Sequence, residues 1–448
     1  MRDASRITRR RAVRMAAIVP LAAPTMQTLS AAGEQVAFGL IGAGAWGRYL
    51  LEHFKRIASG RCVAACDIDE TSLRRAVQVS RDRPRAYTDY RRLLERKDIQ
   101  AVVVATPPQT HFPIVRDALE TGKHVFCEPP LASKPPEVAS LRRLADSRAG
   151  QVVQVGLQHR YSKFYQTAKQ MVAKGYLGEL TNIQAQWHRN RDWSMDPQKP
   201  RAANWRLFRE FGGGPVGELA GHQMDVADWM FADTPEFVCG AGGLDWKRDG
   251  RDVYDNICLI FQYPGGRRMM YSAINTNKHL PLFGGSRSQR GEMLMGTEGT
   301  IEITLGGDDE PALGLWFYEP SPGRVGRRED AKEIAKLAGA SVPSAGRSSR
   351  GMPILFERDQ ITGDESFLGR ELKWARRWLY TKGVMVPQEE RHPIEAQLEG
   401  FLQCCRDARQ PRASLETGLN NSIAVMLANA ALDEGFRMYF SDFDRMSR

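Results

Sequence analysis

A chain of 448 residues is longer than one hydrophobic core organises, and its length predicts two or three domains. With 42% hydrophobic and 26% charged residues it has the composition of an ordinary soluble globular protein. About half of the net charge of +10 sits at one end, where the first 33 residues carry six arginines against Asp3 alone, and the rest is too mildly basic for a nucleic-acid partner.

That first segment has a basic start, a weakly apolar stretch from Met15 to Leu29, and small residues from Ser30 to Gly33. This is the anatomy of a secretory signal. Thr8-Arg9-Arg10-Arg11-Ala12-Val13 matches a twin-arginine export signal, although Ala12 and Val13 are less apolar than the usual pair. Residues 1–33 are therefore expected to be a signal peptide read by the twin-arginine export machinery, and the protein to be periplasmic or otherwise exported. Its apolar part is short for a spanning helix, which needs roughly 20 residues. The seven cysteines form no C-x-x-C pair and read as structural; Cys62 and Cys66, four apart in one apolar run, are expected on one face of a strand.

From Gln35 the chain alternates short apolar runs with helical patterns. The runs are VAFGLI (36–41), CVAAC (62–66), AVVVAT (101–106), HVFC (124–127) and VVQVG (152–156). Strands apolar on both sides and joined by helices predict a parallel sheet covered on both faces, over residues 34–157. After about residue 158 the rhythm changes to alternating strands and tight turns, among them TNIQAQWHR, NICLIFQY, RRMMYSAIN and TIEITL. The expected fold is thus an N-terminal Rossmann dinucleotide-binding domain followed, over 158–448, by a domain built on a large, mostly antiparallel open sheet. Residues 320–365, rich in Gly, Ser, Pro and Arg, read as a surface insertion.

The first strand runs into Gly42-x-Gly44-x-x-Gly47 at the start of a helix. The first glycine permits the tight turn, the second lets a pyrophosphate approach the backbone, and the third allows helix and strand to pack closely. The anion then meets the helix N-terminus at Ala45 and Trp46. Asp67 ends the second strand 20 residues after Gly47, where an acid binds both ribose hydroxyls. Ile68 and Asp69 offer no cation for a 2′-phosphate, so NAD is expected in preference to NADP.

Several stretches in order resemble the Gfo/Idh/MocA family of glucose-fructose oxidoreductase and inositol dehydrogenase: IGAGAWG, ATPPQTHFPIVRDALETGKHVFCEPPLA, GLQHRYSKFY, GGGPVGELAGHQMDVADWM, GTEGTIEI and FLQCCRDARQPRASLETG. The resemblance implies a nicotinamide cofactor held between the two domains and a sugar, polyol or glycoside as substrate. It also implies homo-oligomers assembled through the open sheet. By the same resemblance Thr106, Pro107 and His111 line the cofactor and Glu128 sits near the nicotinamide ribose. The family's usual Glu-Lys-Pro is here Glu128-Pro129-Pro130, and its Asp-x-x-x-His is Glu218-x-x-x-His222.

On the helix after Pro215, Glu218, His222, Asp225 and Trp229 recur at helical spacing, which predicts one shared face. A carboxylate one turn before a histidine orients the ring and raises its basicity, so His222 reads as the general base and Glu218 as its helper. Substrate contacts are expected from Arg160, Tyr161 and Lys163, and from His188, Trp205 and Asp225; Trp187, Trp193, Arg189 and Arg191 are further sugar-binding candidates. No metal site is read. Proline at 129 supplies no proton donor. Three readings follow: a sugar oxidoreductase with His222 as base, a glycoside hydrolase that oxidises and re-reduces its substrate on one tightly held NAD, or a non-catalytic dinucleotide-binding protein. Export favours a cofactor that is carried along and not exchanged.

Overall fold

The computed structural model describes residues 35–148, 150–189, 193–277, 290–305, 312–319, 351–361, 365–381, 385 and 387–443. The signal-peptide reading of 1–33, the candidate Arg191 and most of the 320–365 insertion lie outside them. From Gln35 onward the chain forms one compact unit that carries two sheets.

The first sheet contains β1 (Val36–Ile41), β2 (Gly60–Cys66), β3 (Arg85–Tyr87), β4 (Ala101–Val104), β5 (His124–Cys127) and β6 (Val153–Val155) in the order β3-β2-β1-β4-β5-β6. All its pairings are parallel. This is the doubly wound order whose crevice, where the strand order reverses between β1 and β4, receives a dinucleotide. β1, β4 and most of β5 are buried on both faces, as their unbroken apolar runs require. β3 has no such run: Arg85 and Ala86 are exposed at the sheet edge, so no apolar pattern marks it.

Cys62 and Cys66 do not share a face. The β1–β2 register shifts at Phe38/Gly39, and the extra residue in β2 sends Cys62 to the core under β1 and Cys66 to the opposite one. One inserted residue reverses the side-chain alternation beyond it.

Among the described residues the second sheet has nine strands. β7 (Leu180–His188), β8 (Phe237–Gly243), β9 (Asn256–Gln262), β10 (Arg268–Ile274), β11 (Arg290–Gly296), β12 (Gly299–Leu305), β13 (Leu313–Tyr318), β14 (Met352–Pro353) and β15 (Met438–Tyr439) lie in the order β14-β13-β12-β11-β7-β10-β9-β8-β15. Among the described residues only the β7–β10 pair is parallel. One face packs on the core through Ile183, Met269, Leu294 and Ile301, all fully buried. The opposite face leaves Ile260 and Met270 exposed.

Two later helices tie the sheets together. Helix Pro393–Asp407 returns to the first sheet, where Leu398, Phe401 and Leu402 are fully buried beside Phe38 and Phe126. Helix Leu415–Glu434 is preceded by Ala413, whose carbonyl accepts from Val155 N of β6 at 2.9 Å, and its Asn421 donates to the Gly221 carbonyl at 2.7 Å.

The turn that leaves the first sheet also meets a helix of the second domain directly. Arg160, in the turn Gln158–Tyr161 that follows β6, grips Asp225 of helix Gly221–Phe231 with Nε at 3.0 and 2.9 Å from the two carboxylate oxygens and a terminal nitrogen at 2.8 Å. Asp225 is 2% exposed, so removing its carboxylate strands a guanidinium in the interior. Asp225→Ala is expected to destabilise the protein by about 3–5 kcal/mol. Urea titration followed by circular dichroism checks this; a loss within experimental error would show that the pair does not hold the helix.

Candidate active site

The glycine turn fits a pyrophosphate. Gly42 has φ +96°, a conformation L side chains rarely adopt, and a Cβ there would lie 2.6 Å from the Ala105 carbonyl. A Cβ on Gly47 would lie 2.0 Å from the Gly42 carbonyl oxygen, so helix and turn touch. Gly44 differs, because a Cβ there would meet nothing within 4 Å. It caps the helix Ala45–Phe54 without any side-chain hydrogen bond, which leaves the first-turn amides of Ala45 and Trp46 for a ligand. Asp67 braces the turn: Oδ2 accepts from Ala43 N at 2.6 Å and Oδ1 from Asp69 N at 2.8 Å. Ile68 beside it is 92% exposed, the open apolar surface that a bound adenosine would cover.

The loops after β4 and β5 complete this edge. His111 is 1% exposed, and its ring nitrogens each lie 2.8 Å from a carbonyl oxygen, Pro130 on one side and Thr106 on the other. It therefore staples the two loops together and does not itself open toward a cofactor. Thr106 and Pro107 remain half-buried on the loop it holds. The Pro129–Pro130 peptide is cis.

Glu128 at the end of β5 is 9% exposed, and its Oε1 is buried with no hydrogen-bond partner. Burial pushes its carboxyl up to about 8 and the charge of Glu218 adds to this, against a hydrogen bond from Trp46. Gly156 makes the room, since a Cβ there would lie 2.5 Å from Glu128 Oε2. An unsatisfied buried acid beside an uncapped helix N-terminus and an open glycine is what a nicotinamide dinucleotide would complete. Gly42, Gly44, Ala45, Trp46, Asp67, Thr106 and Glu128 are the residues that could hold it.

The helix that carries the second-domain groups is not regular. Val216–Ala220 is π-helical, with Gly221 N bonded to the Val216 carbonyl, and only from Gly221 does the α-helix run to Phe231. The wider turn moves Glu218 away from the position one α-turn before His222. Glu218 instead accepts from Arg206 Nε at 3.0 Å and makes no hydrogen bond to His222. The helper role expected of Glu218 is thus corrected by the local geometry. His222, Asp225 and Trp229 do share a face, which meets the Gln158–Tyr161 turn: the His159 ring lies 5.8 Å from His222 at an interplanar angle of 16°, and the Arg160 guanidinium sits 5.4 Å over Trp229.

His222 makes no hydrogen bond to any described residue. Its Nδ1 is enclosed, which leaves Nε2 as the nitrogen with access. Burial pushes its pKa down to about 4, helped by Arg290, so the ring is neutral and able to accept a proton across the physiological range. His159 beneath it is likewise held far below its ordinary value by burial, then by His222 and Arg290.

Other expected substrate contacts fall elsewhere. Tyr161 is 7% exposed and packs against Gly400 in the core, and Lys163 is exposed at a helix start. His188 projects from the sheet face opposite His222, because alternation along β7 puts Trp187 on the inner face and His188 on the outer, where Nε2 meets Ser272 Oγ at 2.7 Å. Arg160 and Asp225 are occupied with each other. Trp205 is half-buried at the site, under the Arg206 guanidinium at 4.0 Å.

The structure adds residues that the sequence did not single out. Arg290 and Glu292 come to the inner face because β11 pairs Arg290 with Trp187 and Glu292 with Ala185. Tyr165 donates to Glu292, and burial pushes that carboxyl up to about 8. His159 was within sight, between Gln158 and Arg160, but only the fold sets it under His222. An open groove of about 660 Å³ lined by Leu73, Val77, Tyr87 and Arg92 shares no residue with this site.

Comparisons with known proteins agree with this fold. A family model described as an oxidoreductase family with an NAD-binding Rossmann fold matches residues 36–157, and one described as the GFO/IDH/MocA C-terminal domain matches residues 165–302. The inositol 2-dehydrogenase of Rubrobacter xylanophilus is 29% identical over 273 residues, 60% of this chain and 72% of that protein. The glycosyl hydrolase family 109 protein 2 of Shewanella sp. (strain ANA-3) is 31% identical over 203 residues, 41% of this chain and 44% of that one. The chain thus spans less than half of the length of some curated relatives it matches. Among solved structures, levoglucosan dehydrogenase in complex with NADH superposes with a TM-score of 0.68 at 17% identity, covering 91% of this chain and 99% of that one. Aldose-aldose oxidoreductase from Caulobacter crescentus complexed with glycerol gives 0.65, also at 17% identity, over 91% and 100%. At such identities these likenesses establish the fold.

The three glycines separate folding from binding. Gly47→Ala is expected to lower thermal stability, because its Cβ has no room, whereas Gly44→Ala leaves the melting temperature of nucleotide-free protein unchanged and weakens nucleotide binding at least roughly tenfold. Differential scanning fluorimetry with and without NAD reads both quantities; equal affinity in Gly44→Ala would remove the pyrophosphate from this turn.

Proposed function

Because the chain belongs to the Gfo/Idh/MocA oxidoreductase family, we propose that it oxidises a hydroxyl of a sugar, polyol or glycoside with NAD, and that His222 is the general base. The observation that carries the reading is a neutral histidine without hydrogen-bond partners, on the helix that the Arg160–Asp225 pair fixes to the end of the dinucleotide-binding sheet. A nicotinamide bound between the two supplies the hydride acceptor. The protein's own work is to hold the substrate carbinol against that ring and to take its hydroxyl proton at His222 Nε2 as the C–H bond breaks. Asp67, with no cation in the following Ile68 and Asp69, supports NAD over NADP.

A second reading, NAD-dependent glycoside cleavage, is supported by the similarity to glycosyl hydrolase family 109 proteins. In it the same proton removal at His222 begins the cycle, the aglycone then leaves by elimination, and no reduced cofactor accumulates. We also propose export through the twin-arginine pathway, supported by Arg9-Arg10-Arg11 ahead of an apolar stretch, and self-association through the outer face of the second sheet, supported by exposed Ile260 and Met270. An exported enzyme would carry its NAD with it.

Two measurements test these proposals. Purified protein given a panel of free sugars and glycosides should form NADH, or release aglycone without NADH, and His222→Ala should lower kcat/KM by roughly two to four orders of magnitude. Full activity in His222→Ala would end the assignment, and nucleotide freed on denaturation in one-to-one yield would show that the cofactor travels with the chain. The pH profile is the second. A histidine whose pKa is pushed down to about 4 is competent above that value and loses its vacant nitrogen as pH falls through it. kcat/KM should therefore hold level through pH 5 and fall with a single-proton limb near pH 4; a limb near the ordinary histidine value of about 6.5 would show His222 is not the titrating base.

A further inference from the structure

Two imidazoles lie side by side at this site, and the chemistry proposed above uses one of them. His159, in the turn after β6, is 7% exposed, and its ring meets two others, Tyr165 at 4.7 Å and His222 at 5.8 Å. Tyr165 does not serve it as a hydrogen-bond partner, because the Tyr165 hydroxyl is given to Glu292. The His159 side chain makes no hydrogen bond to any described residue, and its Nδ1 is enclosed, as that of His222 is, so Nε2 is the nitrogen a ligand reaches. Ring nitrogens carry their lone pairs in the ring plane, and two rings within 16° of parallel therefore do not bond to one another. Both keep their acceptors for something else.

The position of His159 says where that something lies. It follows Gly156 by three residues, and Gly156 lies against the Glu128 carboxyl at the cofactor edge. Burial holds His159 far below its ordinary pKa, and His222 and Arg290 add to this, so both rings are neutral together and a proton on His222 opposes one on His159. Oxidising a hydroxyl moves one proton, for which His222 suffices. A second enclosed imidazole without a partner is costly to bury and adds nothing to that step. Cleavage by elimination moves a second proton, one held on carbon. Rings 5.8 Å apart, each with its own acceptor, suit protons on neighbouring positions of one sugar ring.

We infer that His159 is a second acid–base group, which takes a C–H proton from the carbon beside the one oxidised with the help of His222, and that the substrate is accordingly a glycoside. This rests on the oxidoreductase reading for the first step and selects glycoside cleavage between its two forms. Oxidation of the hydroxyl two carbons from the anomeric centre sends the hydride to the nicotinamide and the hydroxyl proton to His222. The new ketone acidifies the hydrogen on the intervening carbon. His159 Nε2 takes that proton, the C–H electron pair becomes a C=C bond, and the anomeric C–O bond breaks. The departing oxygen then receives the proton from His159. Water adds in the reverse sense: its oxygen joins the anomeric carbon, one of its protons goes to His159, and His159 returns that proton to the intervening carbon. Hydride and the His222 proton finally go back to the ketone, so that glycoside and water have become sugar and aglycone with the cofactor restored.

The test is turnover in deuterium oxide by purified protein carrying its nucleotide, given the 4-nitrophenyl glycosides of glucose, galactose, mannose and xylose and the four free sugars. At least one glycoside is expected to release nitrophenolate without net NADH, and its sugar to carry deuterium on the carbon beside the oxidised one, read by mass spectrometry and NMR. His159→Phe keeps a ring for Tyr165 and His222 to pack on but has no nitrogen. It should lower nitrophenolate release and deuterium uptake by roughly two orders of magnitude or more, while the fluorescence of reduced nicotinamide still rises on mixing with that glycoside. If His159→Phe does not fold, His159→Gln is read in the same way. Deuterium uptake at the wild-type rate in the folded variant overturns the inference, and so does an equal slowing of nicotinamide reduction and nitrophenolate release, which is what a packing role alone would give. Net NADH from sugars or glycosides, with neither nitrophenolate nor deuterium, overturns it and leaves the oxidoreductase reading standing. Neither NADH nor nitrophenolate from any of these compounds counts against the proposed function itself, and the inference falls with it.

Discussion

The bidentate contact of Arg160 with Asp225 is the constraint on which the site depends. Arg160 belongs to the turn that leaves the dinucleotide-binding sheet, and Asp225 to the helix that carries His222. Asp225 is buried and Arg160 largely so, so neither tolerates separation, and two planar forks allow little relative rotation. A general base must stand within hydrogen-bond reach of the reacting hydroxyl, and that requires the base-bearing helix to be fixed against the cofactor-bearing sheet. One ion pair does this, reinforced by Trp229 under the same guanidinium and by Asn421 bonded to the helix's first carbonyl.

The same constraint explains the π-turn. The loop Gly212–Gly214 enters the helix with Gly213 and Gly214 in left-handed conformations, and Gly217 passes close to the Gly212 carbonyl. With Asp225 fixed at one end and this entry at the other, the chain fits by widening one turn at Val216–Ala220. The consequence falls on Glu218, which rotates onto Arg206 and leaves His222 without a carboxylate. A histidine lacking that partner and pressed by Arg290 is a weaker base than a supported one, yet it stays unprotonated under every ordinary condition.

How much of this was legible in the sequence follows from the range of each interaction. Most of the Rossmann strands and the Gly42–Gly44–Gly47 turn are local patterns, and they were read directly; so were most of the alternating strands of the second sheet, although β3, β13, β14 and β15 went unseen. What escaped was set by register and by chain return. The bulge that parts Cys62 from Cys66 depends on how β2 lies against β1, and the outward aim of His188 depends on which neighbour of β7 packs inside. Equal helical spacing suggested that Glu218 serves His222, but spacing presumes a regular helix. Arg290 and Glu292 enter the site only through antiparallel pairing with a strand about a hundred residues earlier, for which the sequence carries no local mark.

The proline at position 129 bears on the charge of the cofactor edge. A lysine there, as in the resembling family, would place an ammonium beside Glu128 and favour its carboxylate. Proline supplies no charge, and the burial of Glu128 next to Glu218 then leaves one way to neutralise the acid, which is to keep its proton up to about pH 8. The cation and the ionised acid have in effect been lost together, so the cofactor edge of the site is no more negative than it would be with the ion pair.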